Sequence, residues 1–144
     1  MAGGAHDGAG NDRSILKDAY AARLRGDVEG MVRHFADDAV FALAGAREAS
    51  PVALRCSDCD SMRAAMAGLV GAFEFKSHEI VALVVEGDRA VAHTRVRVRA
   101  AATGEEAVTE MADIVTFENG KIKSFLEFCD TALAAKMAAG TAVA

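Results

Sequence analysis

With 144 residues, 15.0 kDa and 52% hydrophobic side chains, the chain has the usual size of one domain and enough apolar material for one core. A net charge of −5 and a pI near 5.3 exclude a polyanionic partner, because binding phosphates needs clustered excess positive charge, so no nucleic acid is expected. No apolar run approaches the roughly 18 residues that cross a bilayer, and the glycine-rich start lacks a basic stretch followed by an apolar one, so no membrane partner and no export are expected. Three cysteines cannot all pair within the chain, and a domain of this size does not need disulfides, which fits a cytoplasmic setting with free thiols.

Residues 1–10 contain four glycines and bury too little to offset their ordering entropy, so they read as a disordered tail ahead of one domain over residues 11–139 and a mobile end over residues 140–144. The pattern turns helical at Asn11 or Asp12, with Ile15, Ala19, Ala22 and Leu24 as its apolar face, and Gly26 ends it. Asp27 then caps a second helix carrying Val28, Met31, Val32 and Phe35 at helical spacing. A short apolar run over residues 39–44 suits a strand, and residues 45–57, with the single proline Pro51, read as a loop. Asp58 or Asp60 caps a third helix in which Met62, Met66, Leu69, Val70 and Phe73 recur three or four apart.

From Phe75 onward the period becomes two. Residues 75–86, 89–101, 106–117 and 121–129 read as strands, joined at Gly87-Asp88, Thr103-Gly104 and Asn119-Gly120, the last a strong hairpin signal. Residues 131–139 read as a short final helix. Three N-terminal helices and a short strand followed by a long meander predict an α+β domain: a cone-shaped barrel with the helices packed on a curved, mostly antiparallel sheet.

Within that order stand the words GDVEGMVRHFADDAVF (residues 26–41), MADIVTFENGKI (residues 111–122) and FCDTA (residues 128–132). Together they resemble the nuclear transport factor 2-like superfamily, which includes ketosteroid isomerases and SnoaL-like cyclases. The resemblance implies a cone enclosing a small-molecule pocket. It puts the isomerases' oxyanion-hole aspartate at Asp113, their catalytic aspartate at about Leu43, and their oxyanion-hole tyrosine at about Ala19, one residue from Tyr20, the only tyrosine. Limonene epoxide hydrolase offers a second comparison: Arg95-Val96-Arg97 stands at its Arg-Val-Asp word and Glu127 at its final acid. The SnoaL-like cyclases use an aspartate acid/base on the sheet, a role the resemblance gives to Asp113.

Alternation yields its own expectations. If Asp113 points into the cone, Met111, Val115 and Phe117 share its face; if Glu127 does, Phe125 and Cys129 join it. A carboxyl among apolar groups then has either a raised pKa or an arginine partner. On residues 89–101, His93, Arg95, Arg97 and Arg99 alternate with Ala92, Thr94, Val96 and Val98, so one set faces inward. The functional reading sends Arg95 or Arg97 inward to pair with Glu127 or Asp113 and leaves Val96, Val98, Ile122, Leu126 and Phe128 as an apolar outer face for a homodimer through the sheet. The other reading is a solvated arginine face. Asp113, Glu127 and Arg95 are thus the catalytic candidates. Tyr20, His93, Arg97, Met111, Val115, Phe125 and Cys129 are the ligand-binding ones, for a small apolar or partly polar organic ligand. His34 and His78 read as surface or packing residues. Cys56 and Cys59 form C-x-x-C without a second pair, and no phosphate-cradling glycine loop occurs, so neither metal nor cofactor is expected. The expected activity is acid/base chemistry of isomerase, cyclase or hydrolase type, the competing expectation a non-catalytic binding or association module.

Overall fold

The computed structural model describes the backbone of residues 2–50 and 52–143 and the side chains of residues 10–50 and 52–138. Helix α1 spans Ala2–Arg25 and ends where Gly26, at φ 73, takes the left-handed conformation that closes a helix cheaply only without a Cβ. Helical backbone therefore continues through the stretch that composition assigns to a disordered tail, where each glycine weakens it. Asp27 caps α2 (Val28–Val32), its carboxylate accepting from the Gly30 amide at 2.9 Å. Strand β1 (Phe35–Leu43) follows, then β2 (Leu54–Cys56), α3 (Cys59–Ala72), β3 (Phe73–Glu86), β4 (Arg89–Ala100), β5 (Glu106–Glu118), β6 (Lys121–Phe128) and α4 (Thr131–Val143). Pro51 lies outside the described residues.

The six strands form one open sheet in the order β2-β1-β6-β5-β4-β3, antiparallel throughout except for β1 beside β6. That parallel pairing explains two differences from the sequence reading. Phe35, at helical spacing, is extended because it pairs with Ile122 across β6, and the Ile122 amide donates to the His34 carbonyl at 2.8 Å. The opposite edge of β1 is then free to recruit Leu54–Cys56, so part of the expected loop becomes a strand. In the Asn119-Gly120 turn both residues have positive φ, 53 and 76, as a type I′ hairpin requires.

The α-helices cover one face of the sheet and enclose the core, where Leu16, Met62, Ile122 and Val115 are inaccessible. Leu24, assigned to the apolar face of α1, is 41% exposed; Leu16 and Tyr20 fill that face instead. Strand β4 alternates cleanly, with Ala90, Ala92, Thr94, Val96, Val98 and Ala100 buried and the arginines outside. Val96, Val98 and Ile122 therefore point inward, contrary to the expected outer apolar face, while Leu126 and Phe128 stay outside. Three outward arginines, Arg95, Arg97 and Arg99, find Glu79, Glu110, Glu106 and Glu74 as partners, whereas inside they would each need a buried counter-charge. Among the described residues no helix is long and apolar enough to cross a membrane.

Candidate functional site

Between the sheet's inner face and the helices lies a pocket of about 130 Å³ with mostly apolar walls. Helix α1 contributes Ala19, Tyr20 and Arg23; β3 contributes Phe73, Phe75 and His78; β5 and β6 contribute Met111, Phe125, Glu127 and Cys129; and α4 brings Leu133, Ala134 and Met137. Asp113 points the same way but is fully buried and lies behind this lining. The pocket reaches it through two neighbours. Tyr20 donates its phenol proton to Asp113 Oδ2 at 2.6 Å, and Glu127 stands opposite Asp113 in the β5–β6 register. Asp113 Oδ1 has no partner among the described residues.

This environment decides which carboxyl holds a proton. Burial, reinforced by the negative charge of Glu127, pushes the pKa of Asp113 well above the usual carboxylate range, and the bond from Tyr20 only partly opposes that. Burial also raises Glu127, but Asp113 and the positive charge of Arg23 draw it back down. Asp113 is thus the neutral acid and Glu127 the group that ionises first, with part of its surface open to the pocket. Burial and the neighbouring carboxylates raise the Tyr20 phenol, so it acts as a donor and not as an anion. Burial likewise pushes the Cys129 thiol up to about 11, which keeps it protonated at neutral pH.

Arg23, His78, Thr109 and Asp130 are polar residues of the wall that escape the sequence reading, and the first two carry most of its polar geometry. Arg23 follows Tyr20 by nearly one helical turn, a spacing that puts both on one face. Its Nη2 donates to the carbonyls of Phe73 (2.7 Å) and Leu69 (3.4 Å), and its guanidinium centre lies 3.7 Å over the Phe75 ring. Burial pulls its pKa down to about 10, with Glu127 acting in the opposite direction. His78 packs against Tyr20 with ring centroids 4.5 Å apart, and its Nε2 is buried without a partner among the described residues. Burial, then the charge of Arg23, lowers the pKa of His78, so the ring is neutral at pH 7. Simple alternation hides His78 because β3 is irregular between Phe75 and Ser77 and again between Ile80 and Ala82. Each bulge shifts the inward set by one position.

Arg95, His93 and Arg97 are not brought to this site. Arg95 pairs with Glu79 and Glu110 at 3.4 and 3.7 Å, His93 Nε2 lies 2.6 Å from Glu110, and Arg97 faces Glu106 at 3.9 Å, all on the outer surface. The placement of Arg95 with Asp113 is corrected accordingly: β4 turns its small and apolar side chains inward. Val115 is inaccessible core and not pocket wall, whereas Tyr20, Met111, Phe125 and Cys129 do line the pocket. Leu43 also lines it, an apolar side chain where the isomerase resemblance implies a base. The three cysteines are free, and the described residues hold no group of three or more His, Cys, Asp or Glu side chains arranged to take a metal.

In comparisons with known proteins, the fold recurs in an NTF2-like protein of Burkholderia xenovorans, 22% identical over 90% of this chain and 96% of that one, with a TM-score of 0.75. A proposed isomerase of Bacillus subtilis superposes with a TM-score of 0.81 at 15% identity, covering 94% and 95% of the two chains. An epoxide hydrolase of M. tuberculosis, similar to limonene epoxide hydrolase, gives 0.71 at 12% identity over 94% of each chain. No curated protein matches the sequence. These likenesses establish the fold, and the family is decided by the sequence itself: residues 16–125 match the SnoaL-like domain, and the chain belongs to that family.

Proposed function

We propose that the chain is a small-molecule enzyme performing acid/base chemistry, of isomerase, cyclase or hydrolase type, in its apolar pocket. One observation carries the reading: Glu127 borders the pocket beside Asp113, a buried carboxyl that keeps its proton. Two neighbouring carboxyls whose environments separate their pKa values make an acid and a base of the same residue type. Glu127 serves as the base that takes a proton from the ligand or from water and gives it back to the product, while Asp113, held by Tyr20 and protonated throughout, supports the ionised form of Glu127 as a neutral neighbour. No cofactor is needed for such a step, and a cytoplasmic setting accompanies it.

The test is proton exchange into a panel of one-ring cyclic ketones, lactones and epoxides in D2O, followed by NMR. Wild-type protein is expected to exchange or convert at least one class, with Glu127→Gln slower by about 10²- to 10⁴-fold, the usual worth of general acid/base catalysis. Because burial raises the pKa of Glu127, activity should fall on the acid side at a higher pH than for an exposed glutamate. Ligand binding without exchange in any class would favour a non-catalytic binding or association module, a reading supported by Leu43 at the expected position of the general base. We further propose that the chain forms a homodimer through the outer sheet face, where Val91, Ile114, Leu126 and Phe128 adjoin across the β4–β5–β6 register.

A further inference from the structure

We infer that Arg23 is the oxygen-binding subsite of the pocket and that its ligand is a neutral one-ring ketone, whose carbonyl oxygen accepts from the guanidinium. The side chain is held before any ligand arrives. Nη2 is committed to the Phe73 and Leu69 carbonyls at the end of α3, and the Phe75 ring supports the flat face at 3.7 Å. A guanidinium has five N–H groups, and the three on Nε and Nη1 have no partner among the described residues. Nor does any carboxylate there lie within ion-pairing distance of Arg23, which nonetheless borders the cavity in a half-buried position. Receiving the last carbonyls of a helix needs only one cationic donor group. The unspent donors therefore belong to a clamped, partly desolvated plane at the pocket wall, the condition under which a hydrogen bond to a ligand costs least to organise.

Charge and size narrow the ligand. Glu127 and Asp130 both border the pocket, so an anionic ligand would meet like charge, whereas a neutral carbonyl needs only a donor. The volume of about 130 Å³ is close to the ~150 Å³ of an apolar cavity that admits benzene. Phe73, Phe75 and Phe125 supply aromatic walls for one ring. This inference deepens the acid/base reading, since a carbonyl polarised by Arg23 acidifies the adjacent C–H bonds for Glu127. The binding itself can be measured without turnover.

The probes are acetophenone, ethylbenzene as its oxygen-free counterpart, and benzoate as its anionic one, titrated into wild-type protein and Arg23→Met. Comparing the ketone-to-hydrocarbon affinity ratio between the two proteins cancels the probes' different hydrophobicity. That ratio is expected to fall about ten- to hundredfold in Arg23→Met, the usual worth of a hydrogen bond to a charged group, while ethylbenzene affinity stays within about twofold. An unchanged ratio, or benzoate binding wild-type protein more tightly than acetophenone at pH 7, would overturn the inference. Should Arg23→Met fail to fold, the infrared carbonyl stretch of ¹³C-labelled acetophenone on wild-type protein decides: a frequency below its value in hydrocarbon solvent supports the subsite, and the hydrocarbon value refutes it. A lowered stretch without deuterium exchange into the bound ketone's methyl group would leave the subsite standing and remove the acid/base reading.

Discussion

Asp113 is a carboxyl with no accessible surface, one hydrogen bond from Tyr20 and a second carboxyl beside it. Its folded-state pKa lies above the unfolded value, so at pH below about 4 both states are protonated and the group costs nothing. As pH rises past that value, the unfolded chain ionises while the folded one keeps its proton, and stability is lost until the folded pKa is reached. The slope approaches about 1.4 kcal/mol per pH unit for one group. Asp113→Asn keeps an acceptor for Tyr20 and removes the titration. It is expected to fold, to be more stable than wild type at neutral pH, and to widen that advantage as pH rises above the ordinary aspartate value until the folded pKa is reached. Thermal midpoints of both proteins measured from acid to neutral pH check it, and parallel pH profiles would show that Asp113 titrates normally.

The elements around the site are set by backbone devices that also decide which side chains face it. The first bulge of β3 turns Phe75 and His78 to the same side although their spacing is odd, and the irregularity between Thr116 and Phe117 lets Ile122 face inward with Phe125. The tight β5–β6 turn then keeps Asp113 opposite Glu127. Gly120 sits there at φ 76, and a Cβ would meet nothing nearer than Asn11 Nδ2 at 3.8 Å, so substitution tests the backbone alone. Gly120→Ala is expected to destabilise the fold by about 1–2 kcal/mol, the penalty of left-handed backbone for an L-residue. Chemical denaturation measures it; a loss below a few tenths of a kcal/mol would mean that the turn relaxes and the carboxyl register is held elsewhere.

At the scale of the molecule the helices cover only the inner face of the sheet. The outer face carries Val91 (42% exposed) and Phe128 (46%) with Ile114 and Leu126 between them, beside the ion pairs of His93 and Arg95. An apolar centre with a charged rim suits a symmetric partner. Sedimentation equilibrium at micromolar concentration is expected to give twice the 15.0 kDa chain mass for wild type and the single mass for Phe128→Glu. A wild-type monomer would refute the dimer. Helix α4 lies across the pocket, with Leu133, Ala134 and Met137 in its wall and Met137 packed with Val98 and Ala100, so the last element of the chain completes the site.

Local patterning determined the order of the elements apart from β2, the Asp27 cap, a choice of Asp58 or Asp60 for the third helix, the Asn119-Gly120 turn, and which residues would share a face with Asp113 or with Glu127. Each follows from neighbours a few residues apart, because caps, turns and alternation are short-range. Only the tertiary structure decided what long-range pairing controls. The parallel β1–β6 contact made Phe35 a strand residue, and the bulge between Phe75 and Ser77 moved His78 into the pocket wall. The choice of face for β4 was symmetric in the sequence, since either set of alternating residues could point inward; it was settled by the cost of burying arginines, which sent Arg95 away from Asp113 and left Arg23, on a different element, as the cation of the site.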